Sequence, residues 1–536
     1  MRKFLALLLC AAMLVGLASC AAEQEEVRLH ASVRSVPSSL DPTAAEGDGS
    51  QIIAANCFEG LVCFNARGAL DLAGAVSYAV SPDALTYTFE LNPEARWYVS
   101  DETQRLLTAA GETAFDPAVT AADYVYGFKR LTEAEDTTLA GVTATAEGAL
   151  TLRLTLTEPD PDLLYKLAAL PLLPCSERFV KAMGERCGRF PDTTLFNGPY
   201  VVGDVKEGRE LTLTPNPDYR GRLSVRNAAV TLTLAESAEE AAKRFKKGVD
   251  DVYLTTSFAR ADTANPQAEL AAVWGLCFNQ SKWELQNADL RRAVVTSFNL
   301  DTVKLPAFSS GRAENVIPPA YFFMADRYTV CMPPAVTRTF DSAAASLLLD
   351  KALRELGIAR QRLTLYVPDK LADSFRALID YQATFLGDRL AVDLKTFDAS
   401  DPAAIEAVEQ AEDYWMAVLP LHADLKTARS LLQGLSGAPC FYESENLEKT
   451  VKAFSDKRSA VNAARYLELA EKEIAEDAVF TPLFYSTDIL YCAHGVSGIY
   501  TADGNRLTYF CGGTRDAHPG PAPTAAPTEP ETEETT

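Results

Sequence analysis

The sequence predicts an α/β fold with more than one hydrophobic core, on three observations. The chain has 536 residues, whereas a single core stops growing at about 250–300 residues. Hydrophobic residues make up 48% of the sequence, which is sufficient for globular folding. Between the ends of the chain, short runs with strand-like alternation are interspersed with stretches of helical spacing, a pattern typical of α/β architecture.

Residues 1–19 are expected to form a secretory signal peptide. Arg2 and Lys3 form a charged head, and an apolar run from Phe4 to Ala18 follows them. That run is shorter than the roughly 20 residues that a membrane-spanning helix needs. A charged head followed by a short apolar run is the pattern of a signal that is removed after export.

The end of this signal resembles the lipobox of bacterial lipoproteins, since Leu17 and Ser19 precede Cys20. Cleavage before Cys20 would free its sulfur to carry a diacylglycerol, and residues 20–26 would form a tether. Acyl chains contribute about 0.8 kcal/mol per buried CH₂ to membrane binding. The resemblance implies a protein anchored outside the cytoplasm, on the outer face of the cell membrane or in a periplasm. The alternative is an ordinary cleaved signal with an incidental cysteine.

In the first half of the chain, two segments have clear patterns. Residues 85–91, LTYTFEL, alternate apolar and polar positions and predict a half-buried strand. Residues 119–131, VTAADYVYGFKRL, predict a helix in which Thr120 is the N-cap and Asp123 completes a near capping box.

Three more segments with clear patterns follow, and then a C-terminal tail. Residues 197–221 predict two strands joined by a turn at Glu207 and Gly208. Residues 341–357, DSAAASLLLDKALRELG, predict an amphipathic helix that ends at Gly357. Residues 462–485 predict a second such helix and then a strand beyond Pro482. The segment 515–536 is rich in Pro, Thr and Glu and predicts a disordered tail.

The formal charge of −23 disfavours nucleic acids and anionic lipid surfaces as partners. Loss of Arg2 and Lys3 with the signal would make this charge −25. A cationic or zwitterionic ligand is compatible with such acidity, and so is the simpler reading that the charge keeps an exported protein soluble.

The cysteines do not follow a metal-binding pattern. After loss of Cys10 with the signal and use of Cys20 for lipid, the remaining cysteines contain no CxxC spacing. Cys175 and Cys187 flank a short stretch and could be bridged in an oxidising compartment. Other cysteines, such as Cys57 and Cys277, lie in strand-like apolar contexts typical of small buried hydrophobic residues.

The sequence also lacks the usual signatures of catalysis. The four histidines, at positions 30, 422, 494 and 518, form no metal-ligand spacing. A GxSxG elbow and a GxxxxGK[ST] loop are both absent from the sequence. We therefore expect no catalytic residue, no metal site and no cofactor.

The order of segments resembles the extracellular solute-binding proteins of family 5, the peptide-binding class of ABC importers. SSLDP, NCFEGLVCFNARGAL, LTYTFEL, TAADYVYGFKRL, NGPYVV and LTPNPDYRG occur in the family's order. They are followed by CFNQSKWELQNADLRRAVVTSFNLD, VIPP and AEKEIAEDAVFTPLFY. The resemblance spans about residues 28–510. It depends on the order in which these short motifs occur, and no single motif is decisive.

This resemblance implies a two-lobed periplasmic-binding-protein-like fold of type II, with three domains and a ligand cleft between the lobes. Domain I would be residues 27–60, 191–270 and 480–514, because the chain leaves this domain and returns to it. Domain II would be 61–190 and domain III 271–479. The stretch between Trp97 and Thr120 would be an insertion in domain II, distant from the cleft.

The resemblance also implies a site for the amino terminus of a peptide. Peptide-binding members carry an aspartate after a Trp-Cys-Ala sequence in domain III, and ungapped alignment puts Asp424 on it. His422 and Leu421 then take the places of the cysteine and the tryptophan. A carboxylate is needed there because an unpaired buried ammonium is costly. The alternative is that Asp424 is a loop or helix-capping residue.

Three further residues are candidates for ligand contact through the same resemblance. Trp274 precedes the strand GLCFNQ, whose family counterpart lines the cleft, and core packing is the alternative. Glu46 and Asp48 lie in the loop after SSLDP, which reaches the ligand in relatives, and simple solvation is the alternative.

Taken with the lipobox, the resemblance predicts a monomeric, lipid-anchored binding component that captures peptides and delivers them to an ABC permease. Two other hypotheses stay open. The same fold could bind a nickel chelate, haem or an oligosaccharide, or the protein could be a surface sensor or adhesin that uses the C-terminal tail as an arm.

Overall fold

The computed structural model describes residues 26–44, 47–169, 172–206, 208–255, 267–306, 308–323, 326–330, 332–333, 339–421, 423, 425–455, 460–502 and 507–516. Its α-helices, in chain order, are α1 Gly47–Cys57, α2 Asp101–Ala109, α3 Ala121–Glu133, α4 Leu163–Ala168, α5 Glu177–Met183, α6 Ala238–Lys246, α7 Ala288–Ser297, α8 Ser342–Leu356, α9 Ala372–Leu386, α10 Pro402–Glu409, α11 Ala428–Gly434, α12 Glu445–Ser455 and α13 Ala460–Glu476.

The strands, in chain order, are β1 Arg28–Val33, β2 Val62–Phe64, β3 Leu70–Leu72, β4 Ala75–Val80, β5 Thr86–Leu91, β6 Val142–Ala146, β7 Thr151–Leu156, β8 Tyr200–Lys206, β9 Glu210–Pro215, β10 Ala229–Leu234, β11 Val252–Thr255, β12 Gln267–Phe278, β13 Ser309–Arg312, β14 Phe322–Phe323, β15 Asp326–Arg327, β16 Gln361–Pro368, β17 Leu390–Phe397, β18 Met416–Pro420, β19 Phe480–Cys492, β20 Val496–Ser497, β21 Tyr500–Ala502, β22 Leu507–Tyr509 and β23 Thr514–Arg515.

Eleven of these strands form one mixed sheet that runs through most of the described chain. Its order is β17-β16-β18-β12-β19-β11-β1-β10-β9-β8, and β13 also pairs with β19. A separate four-stranded antiparallel sheet has the order β4-β5-β7-β6.

Two long strands, β12 and β19, connect the two halves of the large sheet. They pair antiparallel with each other from Gln267 opposite Leu490 to Cys277 opposite Phe480. At one end, β12 also pairs with β18, and at the other end β19 also pairs with β11. The chain therefore crosses between the halves along two adjacent, hydrogen-bonded strands.

The buried side chains form three main hydrophobic cores. Core A packs the sheet around β1, β8, β9 and β10 against α1, and core B covers the small four-stranded sheet. Core C lies within residues 273–485. We call the described residues in 273–485 lobe 2 and the other described residues lobe 1, so that β12 and β19 join the two lobes. The finer boundaries of domains I to III stay a prediction.

Most segments predicted from local patterns are confirmed. Residues 86–91 form β5, and 121–133 form α3, whose N-cap Thr120 donates from its backbone N–H to the Asp123 carboxylate at 2.7 Å. The strands β8 and β9 form the predicted antiparallel pair. Helix α8 ends at Gly357, whose φ of 68° is the left-handed conformation that glycine adopts most easily.

The strand after α13 was predicted to begin beyond Pro482, and this prediction is wrong. β19 begins at Phe480 and contains Pro482. The pairing of β12 with β19 shifts register there, because Trp274 lies opposite Phe484 while the next residue, Gly275, lies opposite Pro482. Such an irregularity tolerates a proline, since the ladder does not require its missing N–H.

The described cysteines are free thiols, so the bridge considered between Cys175 and Cys187 is not formed. Cys57 and Cys277 are both fully buried, as expected for small hydrophobic residues. Cys277 lies in β12, but Cys57 ends helix α1 rather than occupying a strand. Burial raises the pKa of the Cys277 thiol to about 12.

Residue 515, where the disordered tail is predicted to begin, lies in a strand. Arg515 lies in β23 and pairs with Val496 of β20, so the ordered chain continues through this residue. The rest of the predicted tail, from residue 517 onward, and the predicted signal peptide lie outside the described residues. Within the described part of the chain, no helix combines the length and the apolar character needed to cross a bilayer.

At Gly275, the crossing strands pack too closely to accommodate a side chain without a shift of the neighbouring atoms. A Cβ atom there would lie 2.4 Å from the Thr481 carbonyl oxygen and 2.5 Å from the Phe480 ring. We expect Gly275→Ala to lower the free energy of unfolding by about 1–3 kcal/mol, as overpacking does in a close-packed core.

The matched control is Gly203→Ala in β8, where the added Cβ would meet nothing closer than 3.4 Å. Urea unfolding followed by circular dichroism would measure both variants. Equal stability of the two variants would contradict the close approach at Gly275.

Candidate functional site

A cavity of about 700 Å³ lies between the two lobes. Lobe 1 contributes residues before and within α1, the loop after α3, and the segment from β7 to α4. Lobe 2 contributes the start and one face of α11. The lining residues from lobe 1 that bear polar side chains include Thr43, Gln51, Asp136, Thr157, Glu158, Asp160, Asp162 and Lys166, and those from lobe 2 are Arg429, Ser430 and Gln433.

The lobe 1 wall is built by the segment TEPDPDLLYK, residues 157–166. Two prolines separate its carboxylates and fix φ, so the chain turns between the end of β7 and the start of α4 instead of continuing the strand. Asp160 accepts a 3.0 Å hydrogen bond from the backbone N–H of Asp162, which closes this turn.

The lobe 2 wall begins at Thr427, the N-cap of α11. Its side-chain oxygen accepts from the backbone N–H of Ser430 at 3.2 Å, which is the usual capping bond. Capping at this position directs the first turn of α11, and with it Arg429, toward lobe 1.

Asp160 is the centre of a charged cluster that joins the lobes. Its Oδ2 accepts from Lys166 Nζ at 2.7 Å within lobe 1, and its Oδ1 accepts from Arg429 Nη1 of lobe 2 at 3.0 Å. The side chains of all three are less than one quarter exposed. The carboxylate is therefore compensated by one cation from each lobe.

Asp162 makes a second polar contact between the lobes. Its Oδ2 accepts from the Thr427 hydroxyl at 2.9 Å, and Asp162 is only 3% exposed. Burial and, next in size, the nearby Asp160 carboxylate raise the pKa of Asp162 to about 7, against the opposing effects of the Thr427 hydrogen bond and of the Arg429 and Lys166 charges. This carboxyl therefore titrates near neutral pH.

An aromatic contact lies beside these polar groups. Phe322 of lobe 2 packs with its ring centroid 5.0 Å from that of Tyr165 and 5.7 Å from that of Phe64, both in lobe 1. The Tyr165 hydroxyl accepts from the backbone N–H of Lys426 at 3.2 Å. Phe322 is thus a lobe 2 residue that belongs to core B.

A second cavity, of about 610 Å³, adjoins the first. Glu158, Arg429 and Gln433 line both cavities. The second is bounded on the lobe 2 side by α11 and α12, with Leu432, Leu447 and Val451 among its lining residues. Among the described residues, no group of His, Cys, Asp and Glu side chains has the arrangement of a metal site.

Two of the residues expected at the ligand lie in core C. Trp274 is 5% exposed, stacks on Phe484 with ring centroids 5.8 Å apart, and contacts Phe308 edge-on at 5.6 Å. Leu421 is 3% exposed, and its backbone N–H donates to the Val273 carbonyl at 3.0 Å. Neither residue is among those that line the two cavities.

Asp48 lies in the first turn of α1 rather than in a loop. Its carboxylate accepts from the backbone N–H groups of Arg34, Ser35 and Gly49 at 2.6–2.9 Å, and from the Ser35 hydroxyl at 2.8 Å. These bonds tie the end of β1 to the start of α1. Glu46, His422 and Asp424 lie outside the described residues, as does Cys20.

Asp160, Asp162, Lys166 and Arg429 are not among the site residues predicted from the sequence. The signal available was the unusual run of acids and prolines in TEPDPDLLYK, which is also the composition of an ordinary exposed turn. Its partners in lobe 2 are more than 260 positions further along the chain, so their proximity is set only by the fold.

Known proteins match this chain over most of its length. The dipeptide-binding protein of Lactococcus lactis subsp. cremoris strain MG1363 is 26% identical over 387 residues, which cover 67% of this chain and 70% of that protein. The oligopeptide-binding protein OppA of Bacillus subtilis strain 168 is 21% identical over 505 residues, covering 88% and 90%.

Among solved structures, Listeria monocytogenes OppA bound to peptide superposes with a TM-score of 0.59 and 18% identity, covering 92% of this chain and 99% of that one. This similarity supports the two-lobed fold. The family model of the bacterial extracellular solute-binding proteins, family 5, matches residues 71–440, which is more than half of the chain. The chain therefore belongs to family 5 of the bacterial extracellular solute-binding proteins.

Proposed function

We propose that this protein is the extracytoplasmic substrate-binding component of an ABC importer, which captures peptides between its lobes and delivers them to a membrane permease. The observation that carries this proposal is the interlobe cavity of about 700 Å³ in a chain of this family. Cavities of about 300–1,000 Å³ are typical of small-ligand sites. Relatives named for dipeptide and oligopeptide binding support peptides as the ligand class.

The walls of the cavity suit a polar ligand with a peptide backbone. Hydroxyl and amide side chains of Gln51, Thr157, Ser430 and Gln433 line it from both lobes. Such groups can bond a peptide's own amide groups without selecting particular side chains. A ligand that touches both lobes binds the closed state better than the open one, and this difference in affinity drives closure.

Native mass spectrometry of protein purified from its own growth medium tests the proposed ligand class. We expect a bound mass equal to that of a peptide. The peptide released from the protein should have the same mass as the bound one, since a binding component does not cleave its cargo. Protein unfolded, washed and refolded without medium is the control and should carry no such mass. A nickel chelate, a haem or an oligosaccharide in place of the peptide would contradict peptide capture.

Asp424 is proposed to pair with the free amino terminus of the peptide, through its family resemblance. We expect Asp424→Asn to weaken binding of a free-amine peptide by about 2–5 kcal/mol, because a buried ammonium would lose its partner. Isothermal titration calorimetry would measure the loss.

The same peptide with an acetylated amino terminus is the matched control, and its affinity should not respond to Asp424→Asn. Equal losses for both peptides, or no loss for either, would remove the proposed ammonium contact. His422, Leu421, Trp274, Glu46 and Asp48 remain proposed ligand-binding residues on the family resemblance, and the packing of Trp274 and Leu421 in core C makes an indirect role the simpler one.

We propose that Cys20 carries lipid and holds the monomeric protein at the outer face of the membrane. Cys20→Ala should abolish incorporation of a labelled fatty acid into the protein, because the sulfur that accepts the acyl chains is lost. Cys10→Ala, a change of the cysteine inside the predicted signal, should leave this labelling unchanged. Labelling of the Cys20→Ala variant at the level of the unmodified protein would contradict acylation at this residue.

A further inference from the structure

Asp162 occupies the N-cap position of α4, but its side chain makes no capping hydrogen bond. An aspartate there usually accepts from the N–H groups of the first helical turn and so stabilises the helix. Here the carboxyl instead accepts from the Thr427 hydroxyl of lobe 2 at 2.9 Å. A local helix-capping interaction has been replaced by an interaction between the lobes.

This contact is shielded from water. Asp162 is 3% exposed and Thr427 is 0% exposed, and Asp162 lines the cavity between the lobes. Thr427 is the N-cap of α11, so its hydroxyl accepts from Ser430 and donates to Asp162 at the same time. Separation of the lobes would return the Asp162 carboxyl to solvent.

The charged groups that face Asp162 form ion pairs with each other. Asp160 accepts from Lys166 on the same side and from Arg429 on the opposite side. Lys426 precedes Thr427, and its backbone N–H donates to Tyr165. Asp160 disfavours a second negative charge at Asp162, and the Arg429 and Lys166 charges, which pair with Asp160, offset this effect only in part.

We infer that Asp162 and Thr427 form a proton-coupled clasp: the lobes close with Asp162 protonated, and opening releases this proton to solvent. The consequence for peptide capture rests on the proposed function. The clasp itself concerns only the approach of the two lobes, so it is measurable without any ligand.

The direction of the pH effect follows from the two environments of the carboxyl. In the closed state, burial raises the pKa of Asp162 to about 7, whereas a solvated aspartate keeps a pKa near 3.8. The closed state therefore holds more protons than the open state between about pH 4 and pH 7. The equilibrium constant for closure is therefore largest at the acidic end of this window. It falls by up to about tenfold per pH unit as the pH rises, and it is constant above about pH 7.

Hydrogen exchange with mass spectrometry on the full chain, without added peptide, tests the clasp. Protection of residues 160–168 and 425–434, corrected for the intrinsic pH dependence of exchange, reports how often the lobes separate. We expect this protection to fall by up to about tenfold per pH unit from pH 5 to pH 7 and to level off by pH 8. A protection that does not change across this range would overturn the inference.

Asp162→Asn keeps an acceptor for Thr427 and cannot ionise, so protection in this variant should be the same at pH 5 and pH 8. Asp373→Asn, at a side chain that is 99% exposed in lobe 2, is the control and should follow the unmodified protein. A pH slope that persists in Asp162→Asn would assign the titration to another group and overturn the inference.

Thr427→Val and Thr427→Ser provide a second measurement in case Asp162→Asn does not fold. Valine removes the hydroxyl and should lower protection of residues 160–168, which the loss of the α11 cap alone would leave unchanged, and serine should restore it. Equal protection with valine and serine would show that the hydroxyl does not hold the lobes. Because no peptide is present, the clasp fails or succeeds independently of whether peptides are the cargo.

Discussion

The antiparallel pairing of β12 with β19 is the constraint on which the rest of the structure depends. These two strands lie side by side in one sheet; β12 also pairs with β18 of lobe 2, and β19 pairs with β11 of lobe 1 at one end and with β13 of lobe 2 nearer the other. Because backbone hydrogen bonds hold them together along their length, neither lobe can slide past the other without breaking this ladder. What remains available is a rotation in which both strands bend together, and that rotation opens or closes the space where α11 faces α4.

At the contact between the lobes, the desolvation of charged groups is unfavourable and the burial of an aromatic side chain is favourable. Enclosing Asp160, Lys166 and Arg429 removes water from three charges, and such a cluster does little more than offset its own desolvation. Phe322 adds apolar burial against Tyr165 and Phe64, at roughly 25 cal/mol per Å² removed from water. A polar cluster that fixes geometry, next to one aromatic side chain that contributes free energy, makes an interface that is specific yet able to separate.

Local patterns identified the elements that depend on nearby residues. The alternation in β5, the cap of α3 and the glycine stop of α8 are all encoded within about a dozen positions, and each lies where it was expected. The family resemblance identified the two-lobed architecture, which no local pattern contains. A proline usually marks a strand boundary, which is why the sequence predicts a later start for β19, whereas the irregular pairing opposite Gly275 accommodates Pro482 inside the strand.

The interlobe contact could not be read from the sequence for a physical reason. Asp162 and Thr427 are 265 positions apart, and each alone has an adequate local explanation as the cap of a short helix. Only the crossing strands bring these two caps together. Trp274, a candidate ligand contact through the family resemblance, also has neighbours that only the fold determines, because its ring packs with those of Phe308 and Phe484 in core C.

The free thiols have a practical consequence. Cys57, Cys277 and Cys440 are fully buried, and burial raises their pKa values, so the reactive thiolate is scarce at neutral pH. An alkylating dye would therefore react faster with a new cysteine at an exposed position such as Leu347 of α8. These three thiols would therefore not compete with a fluorophore attached elsewhere, whereas the half-buried Cys63, Cys175, Cys187 and Cys511 would be replaced first in a reagentless optical sensor for whatever solute the protein captures.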